Sequence, residues 1–249
     1  MMNENIFGDS LIVHNYDVIM RLIMKRQIVK FLIDKKLDIV NHFIGLDSYK
    51  RNIDRGFQQT KNEKYEKLLK LTRAQQNNEI ENSISGYYKN ENKLNSLAED
   101  INNEWVKIEK DFIKKLEDVH KNPFPHKNIK GVLSSGGRFG YKIDEEWFAT
   151  DMFKNKFISI DVATHELMHF MIHKYYWNLL KEKGLSENIM WDIKESFTVL
   201  LNLEFDNFRF QPDYGYPPHK NLREAIEKSW KKNQDFDIAL ESAVESLVL

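Results

Sequence analysis

Val162-Ala163-Thr164-His165-Glu166-Leu167-Met168-His169-Phe170-Met171 is the stretch on which the reading of this chain turns. It holds His-Glu-x-x-His, preceded by three residues without charge or proline. Residues four apart on an α-helix lie about 40° apart around the axis and one turn along it. His165 and His169 therefore project side by side and can share one metal ion. Glu166 sits on the adjacent helix surface, within reach of a water on that metal without being a ligand. The apolar flanks suit a buried helix, because further charges beside the ligands would be desolvated.

The surroundings of the motif predict an α+β architecture that is predominantly helical. Residues 129–143 hold four of the ten glycines and read as short strands and turns. Residues 146–150 and 156–160 are two more strand candidates, giving a small sheet over 129–160. The motif helix is expected over 162–183, with Asp161 or Ser159 as N-cap and Gly184 as its stop. A further helix is expected at about 189–205. Pro212 and Pro217-Pro218 bracket a loop, and one or two helices fill 220–247. Upstream, Asn122-Pro123-Phe124-Pro125 ends a helical region. That region comprises one or two helices over 16–45, a break at Gly45–Ser48, and helices over 62–84 and 90–121 separated by Gly86. The division is 1–125, a helical region packed on the core, and 126–249, the core itself.

Composition removes several classes of function. The 249 residues include no cysteine, which excludes a disulfide scaffold, a thiolate nucleophile, an iron–sulfur cluster and Cys-ligated zinc. Lys and Arg number 37 against 38 Asp and Glu, a net charge of -1, so no whole-protein electrostatic footprint for nucleic acid exists. No uncharged apolar run reaches the roughly 18 residues of a spanning helix. Glu4, Asp9, Asp17, Arg21, Lys25 and Arg26 break up the N-terminal apolar run, so no export signal is expected. The expectation is a cytoplasmic protein with no membrane partner.

The motif and its layout resemble the active-site helix of the HExxH zinc metallopeptidases, the zincin superfamily. The likeness covers 129–205 in layout and 162–171 in specific motif. It implies a zincin core with a small sheet, an active-site helix and a later helix that supplies a third ligand. It also implies one zinc ion held by His165 and His169, Glu166 as general base, and a peptide or protein substrate. His173 stands where the metzincin pattern has no histidine, and no glycine bends the chain, so His173 reads as structural. A glutamate on a following helix, the gluzincin solution, fits better. Glu195 is first choice because it lies mid-helix among Phe197, Val199, Leu200 and Leu201, where a buried carboxylate needs a partner. Glu187 is the second choice, and Glu204 lies further along. The plain alternative for Glu195 is a helix-surface glutamate beside Lys194. Asp192 and Asn202 are candidates to orient a ligating histidine. Tyr214, Tyr216 and His219 are candidates for transition-state donors. Residues 131–141 are a candidate edge strand for an extended peptide. The competing class is a non-catalytic helical interaction protein with an accidental or degenerate motif.

Overall fold

The computed structural model describes residues 27–56 and 61–247. Strand β1 (Val29–Ile33) is followed by helices α1 (Lys35–Asp54), α2 (Glu63–Leu69) and α3 (Arg73–Ser85). A 3-10 turn at Tyr87–Asn90 leads into α4 (Glu91–His120). Strands β2 (Ile129–Ser134), β3 (Tyr141–Lys142) and β4 (Trp147–Asp151) come next. Helices α5 (Lys156–Tyr175), α6 (Trp177–Glu182), α7 (Glu187–Phe197) and α8 (Val199–Glu204) follow. A loop with two 3-10 turns precedes α9 (Lys220–Asn233) and α10 (Phe236–Glu245). The architecture is α+β and mostly helical.

The four strands form one mixed sheet in the order β1-β2-β4-β3. Strands β1, β2 and β4 are parallel, and β3 runs antiparallel to β4. Side chains alternate between its two faces, as the strand period requires. Val29, Phe31, Leu133 and Phe148 join the main core with Trp105 and Phe112 of α4 and Ile160, Ala163 and Leu167 of α5. Val132, Trp147 and Ala149 face the other way, against Leu37, Val40 and Ile44 of α1. The motif helix is thus held against one sheet face, with α1 on the other. Fully burying each large apolar side chain contributes about 1.5–3 kcal/mol.

Five local expectations are corrected. Residues 29–33 are a strand, where the apolar spacing over 16–45 suggested helix; residues 16–26 of that expected helix lie outside the described residues. Asp34 sets the boundary, its carboxylate accepting from the backbone N–H of Lys36 and Leu37 and starting α1 there. The outer edge of β1 is not left bare. Asn102 of α4 accepts from Phe31 N at 2.9 Å and donates to Phe31 O at 2.8 Å. Glu109 accepts from Val29 N at 2.7 Å. These distant side chains take the place of a neighbouring strand.

Residues 156–160 are the first turns of α5, not a strand. Asn155 caps the helix by accepting from Phe157 N and Ile158 N, six residues ahead of the expected start. Asp161 therefore lies inside the helix, and its carboxylate accepts instead from Phe210 N across the molecule. Gly45 does not break α1. A Cβ there would collide with the Tyr65 hydroxyl, so the glycine serves close packing of α2 on α1. The expected helix over 162–183 is divided at Tyr176 into α5 and α6, and Gly184 follows α6 with φ 77°. The helix expected over 189–205 is likewise divided, at Thr198.

Candidate metal centre

Helix α5 presents His165 and His169 one turn apart, with ring centroids 4.5 Å from each other. Helix α7 brings Glu195 to the same place. One nitrogen of each histidine and one oxygen of Glu195 lie within 4.8 Å of one another. His165 Nε2 is 3.5 Å from Glu195 Oε2, and His169 Nε2 is 3.5 Å from Glu195 Oε1. Among the described residues this is the only cluster of three or more His or carboxylate groups arranged to hold a metal ion. The sequence's first choice for the third member, Glu195, is the one brought in. Glu187 is at the start of α7, near Trp191. Glu204 accepts from Lys115 and Trp230 instead.

The donor atoms suit a cation. His169 is fully buried, yet among the described residues neither ring nitrogen has a hydrogen-bond partner. Burial, then Lys194, pushes its pKa down to about 3, leaving a neutral ring able to donate a lone pair. An imidazole facing a carboxylate at 3.5 Å without a hydrogen bond is the arrangement a shared cation would complete.

Glu166 is buried, and its Oε2 has no partner among the described residues. Burial raises its pKa to about 7, against the pull of His165 and Lys194. Burial also disfavours charge on His165, but Asp213 and Glu195 prevail and raise it to about 10. Glu195 goes the other way. Burial would raise it, yet Lys194 and the two histidines hold it well below the usual carboxylate range.

Asp213 is the member of the site that sequence reading missed. Its Oδ2 lies 2.8 Å from His165 Nδ1. Accepting from that nitrogen orients the ring so that Nε2 is the nitrogen facing Glu195. Asp213 is itself gripped from three sides. Asn202 accepts from its backbone N–H at 2.7 Å and donates to its carbonyl at 2.8 Å. Arg223 donates to its Oδ1 at 3.0 Å and to its carbonyl at 2.7 Å. The Thr198 hydroxyl stands 2.9 Å from Oδ1. Asn202, a candidate to orient a histidine, thus acts one residue removed. Asp192, the other candidate, faces Arg55 and His219.

Tyr214, Gly215 and Tyr216 form one wall of the cleft over His165 and Glu195. Gly215 has φ 62°, and a Cβ there would meet the Arg223 guanidinium at 2.7 Å. The turn therefore needs glycine to keep Asp213 and Tyr216 in place. Glu195, then burial, raises the Tyr216 hydroxyl above its ordinary pKa, so it stays a hydrogen-bond donor. Tyr214 is 81% exposed at the rim. His219 does not line the cleft; its Nε2 meets Asp192 at 3.1 Å and ties the loop to α7.

Two other residues missed in the sequence complete the surroundings. Tyr141 of β3 places its ring 5.7 Å from that of His169. Its hydroxyl is 2.9 Å from His173 Nε2, so His173 is a structural partner of Tyr141. Lys194 is fully buried and donates to Glu195 Oε1 at 2.6 Å. Strand β2 is interior, so the candidate edge strand at 131–141 is corrected: the sheet edge beside the site is β3 alone.

A Ser/His/Asp group elsewhere does not form a proton relay. The Ser135 hydroxyl donates directly to Asp38 at 2.8 Å, while His42 Nε2 lies 3.0 Å from the same hydroxyl. Among the described residues His42 Nδ1 has no partner, so no carboxylate on that side orients the ring as a base.

No family model, no curated protein and no solved structure matches this chain. Among the described residues, no helix is long and apolar enough to cross a membrane.

Proposed function

We propose that this protein is a zinc-dependent peptidase of the gluzincin kind, with a zincin-like core formed by the sheet, α5 and α7. The observation that carries the proposal is the convergence of His165, His169 and Glu195, two from α5 and one from α7. In this reading those three residues hold one zinc ion. Bound zinc would supply a Lewis acid that makes a water nucleophilic near neutral pH and polarises a carbonyl. Two histidines and one carboxylate form a zinc donor set that needs no cysteine.

The remaining chemistry belongs to the chain's own groups. Glu166, with a pKa near 7, takes a proton from the attacking water and returns it to the leaving amine. Asp213 keeps His165 in the tautomer whose Nε2 faces the site. The Tyr216 hydroxyl, on the cleft wall, donates to the carbonyl oxygen as negative charge develops there. The outer edge of β3 is the place for an extended peptide to add as a strand, beside His169. Burial of Glu166 and His169 excludes bulk water from the reacting groups.

The test is Glu166→Gln, assayed for zinc content and for cleavage of a mixed peptide library. The substitution is expected to keep the zinc and lower hydrolysis by about 10²–10⁴-fold. Wild-type protein that holds zinc yet cleaves no peptide would count against the peptidase reading.

A further inference from the structure

The buried lysine beside the metal centre has no part in the chemistry above. Lys194 is fully buried, and so is its position in α7, one residue before Glu195. Its ammonium donates to Glu195 Oε1 at 2.6 Å and to the Tyr141 hydroxyl at 2.8 Å. It also sits over the Trp191 ring at 4.2 Å and the Tyr141 ring at 4.7 Å. Tyr141 is anchored in turn by His173. A buried ammonium is costly unless paired and hydrogen-bonded, and here both conditions are met around a single carboxylate oxygen.

Glu195 needs such a restraint. Its side chain is 17% exposed, and both oxygens stand 3.5 Å from imidazole nitrogens. Nothing on the histidine side selects one oxygen over the other. The lysine does, because it occupies Oε1 and leaves Oε2, which faces His165, to meet a cation.

We infer that Lys194, braced by Tyr141, is a positioning residue that holds Oε1 of Glu195 so that Oε2 is presented to the metal. The inference rests on the metal-site reading above. It assigns the chain His173–Tyr141–Lys194–Glu195 one purpose: linking strand β3, α5 and α7 behind the third ligand. A lysine that only filled space would bear on folding but not on metal affinity. Removing the cation also removes a like charge from beside the metal, which favours binding. The loss of a fixed carboxylate outweighs this, because groups that orient metal ligands typically affect metal affinity by about 10–100-fold.

The experiment measures zinc affinity by chelator competition, well below the thermal midpoint. It uses wild type, Lys194→Met, Tyr141→Phe and His165→Ala, together with the visible spectra of the cobalt(II) forms. Lys194→Met is expected to bind zinc about 10–100-fold more weakly than wild type, with altered cobalt bands. Tyr141→Phe, which removes only the brace's hydroxyl, should weaken binding in the same direction by a smaller factor. Should Lys194→Met not fold, Tyr141→Phe decides the matter. Wild-type affinity and spectra in the folded variants, or tighter binding, overturn the role of Lys194 while leaving the site itself intact. Wild type that binds no zinc, or His165→Ala that binds as well as wild type, overturns both the site and the inference built on it.

Discussion

Replacing Asp213 by asparagine tests how the site is held together. The side chain is 8% exposed, and its two oxygens have different duties. Oδ2 meets His165 Nδ1 at 2.8 Å, and Oδ1 accepts from Arg223 at 3.0 Å. Asparagine has the same shape but only one acceptor oxygen. Whichever way its amide turns, an NH₂ group faces either the imidazole N–H or the guanidinium. Removing one member of a buried charged pair costs about 3–5 kcal/mol. Arg223 keeps its bond to the Asp213 carbonyl at 2.7 Å, so the expected cost is at the lower end, about 3 kcal/mol. For a chain of this size that lowers the thermal midpoint by about 6–12 °C. Zinc affinity should fall by about 10–100-fold as His165 loses its tautomer lock. Scanning calorimetry in chelator gives the first quantity and chelator competition the second. A variant within 1 °C of wild type by the ~2–4 °C per kcal/mol scaling, with unchanged affinity, would refute the assignment of Asp213 as the group that orients His165.

Three further outcomes are expected. Burial pushes His120 from 6.5 down to about 3, and burial followed by Lys64 pushes His42 down to about 4. The unfolded chain therefore binds more protons below pH 6.5 than the folded one. The contribution of these two histidines is full above that pH and falls as the pH drops from 6.5 toward 4, by about 2–3 kcal/mol at pH 4.5 for His120 alone. Urea melts at pH 7.5 and 4.5 should show this, and His120→Leu should flatten the difference; an equal slope in that variant would contradict it. Tyr216→Phe should lower kcat by about 10²–10³-fold with little change in KM, the pattern of a group that acts in the transition state; a pure KM effect would assign the tyrosine to substrate binding instead. Asn102→Ala should destabilise the chain by about 2–4 kcal/mol, because Phe31 loses partners for both backbone groups; a urea midpoint equal to wild type would show that β1 does not depend on that cover.

The legible part of the sequence was the part governed by local rules. His165 and His169 meet because four residues make about one helical turn, and Glu195 stood out as a carboxylate amid apolar neighbours. Gly184 and the two prolines at 123 and 125 marked ends that the fold respects. What was not legible depends on partners distant in sequence. The strand at 29–33 is stabilised by Asn102 and Glu109, more than seventy residues away, so its own apolar spacing was misleading. Residues 156–160 carry strand-forming side chains, yet Asn155 caps a helix that buries Ser159 and Ile160. Asp213 sat unremarked in a proline-flanked loop, since its role exists only once that loop folds back over α5. The plain alternative places Glu195 on the helix surface beside Lys194, yet Lys194 is itself fully buried. It is the cation that neutralises Glu195 in the interior.

The central claim is that His165, His169 and Glu195 hold one zinc ion. A crystal of the wild-type chain purified without chelator, with diffraction recorded on both sides of the zinc absorption edge, tests it most directly. The account predicts a single anomalous peak, about 2.0–2.2 Å from a nitrogen of each histidine and an oxygen of Glu195. No peak at that position, or one held by His173 or Glu187 instead, would contradict it.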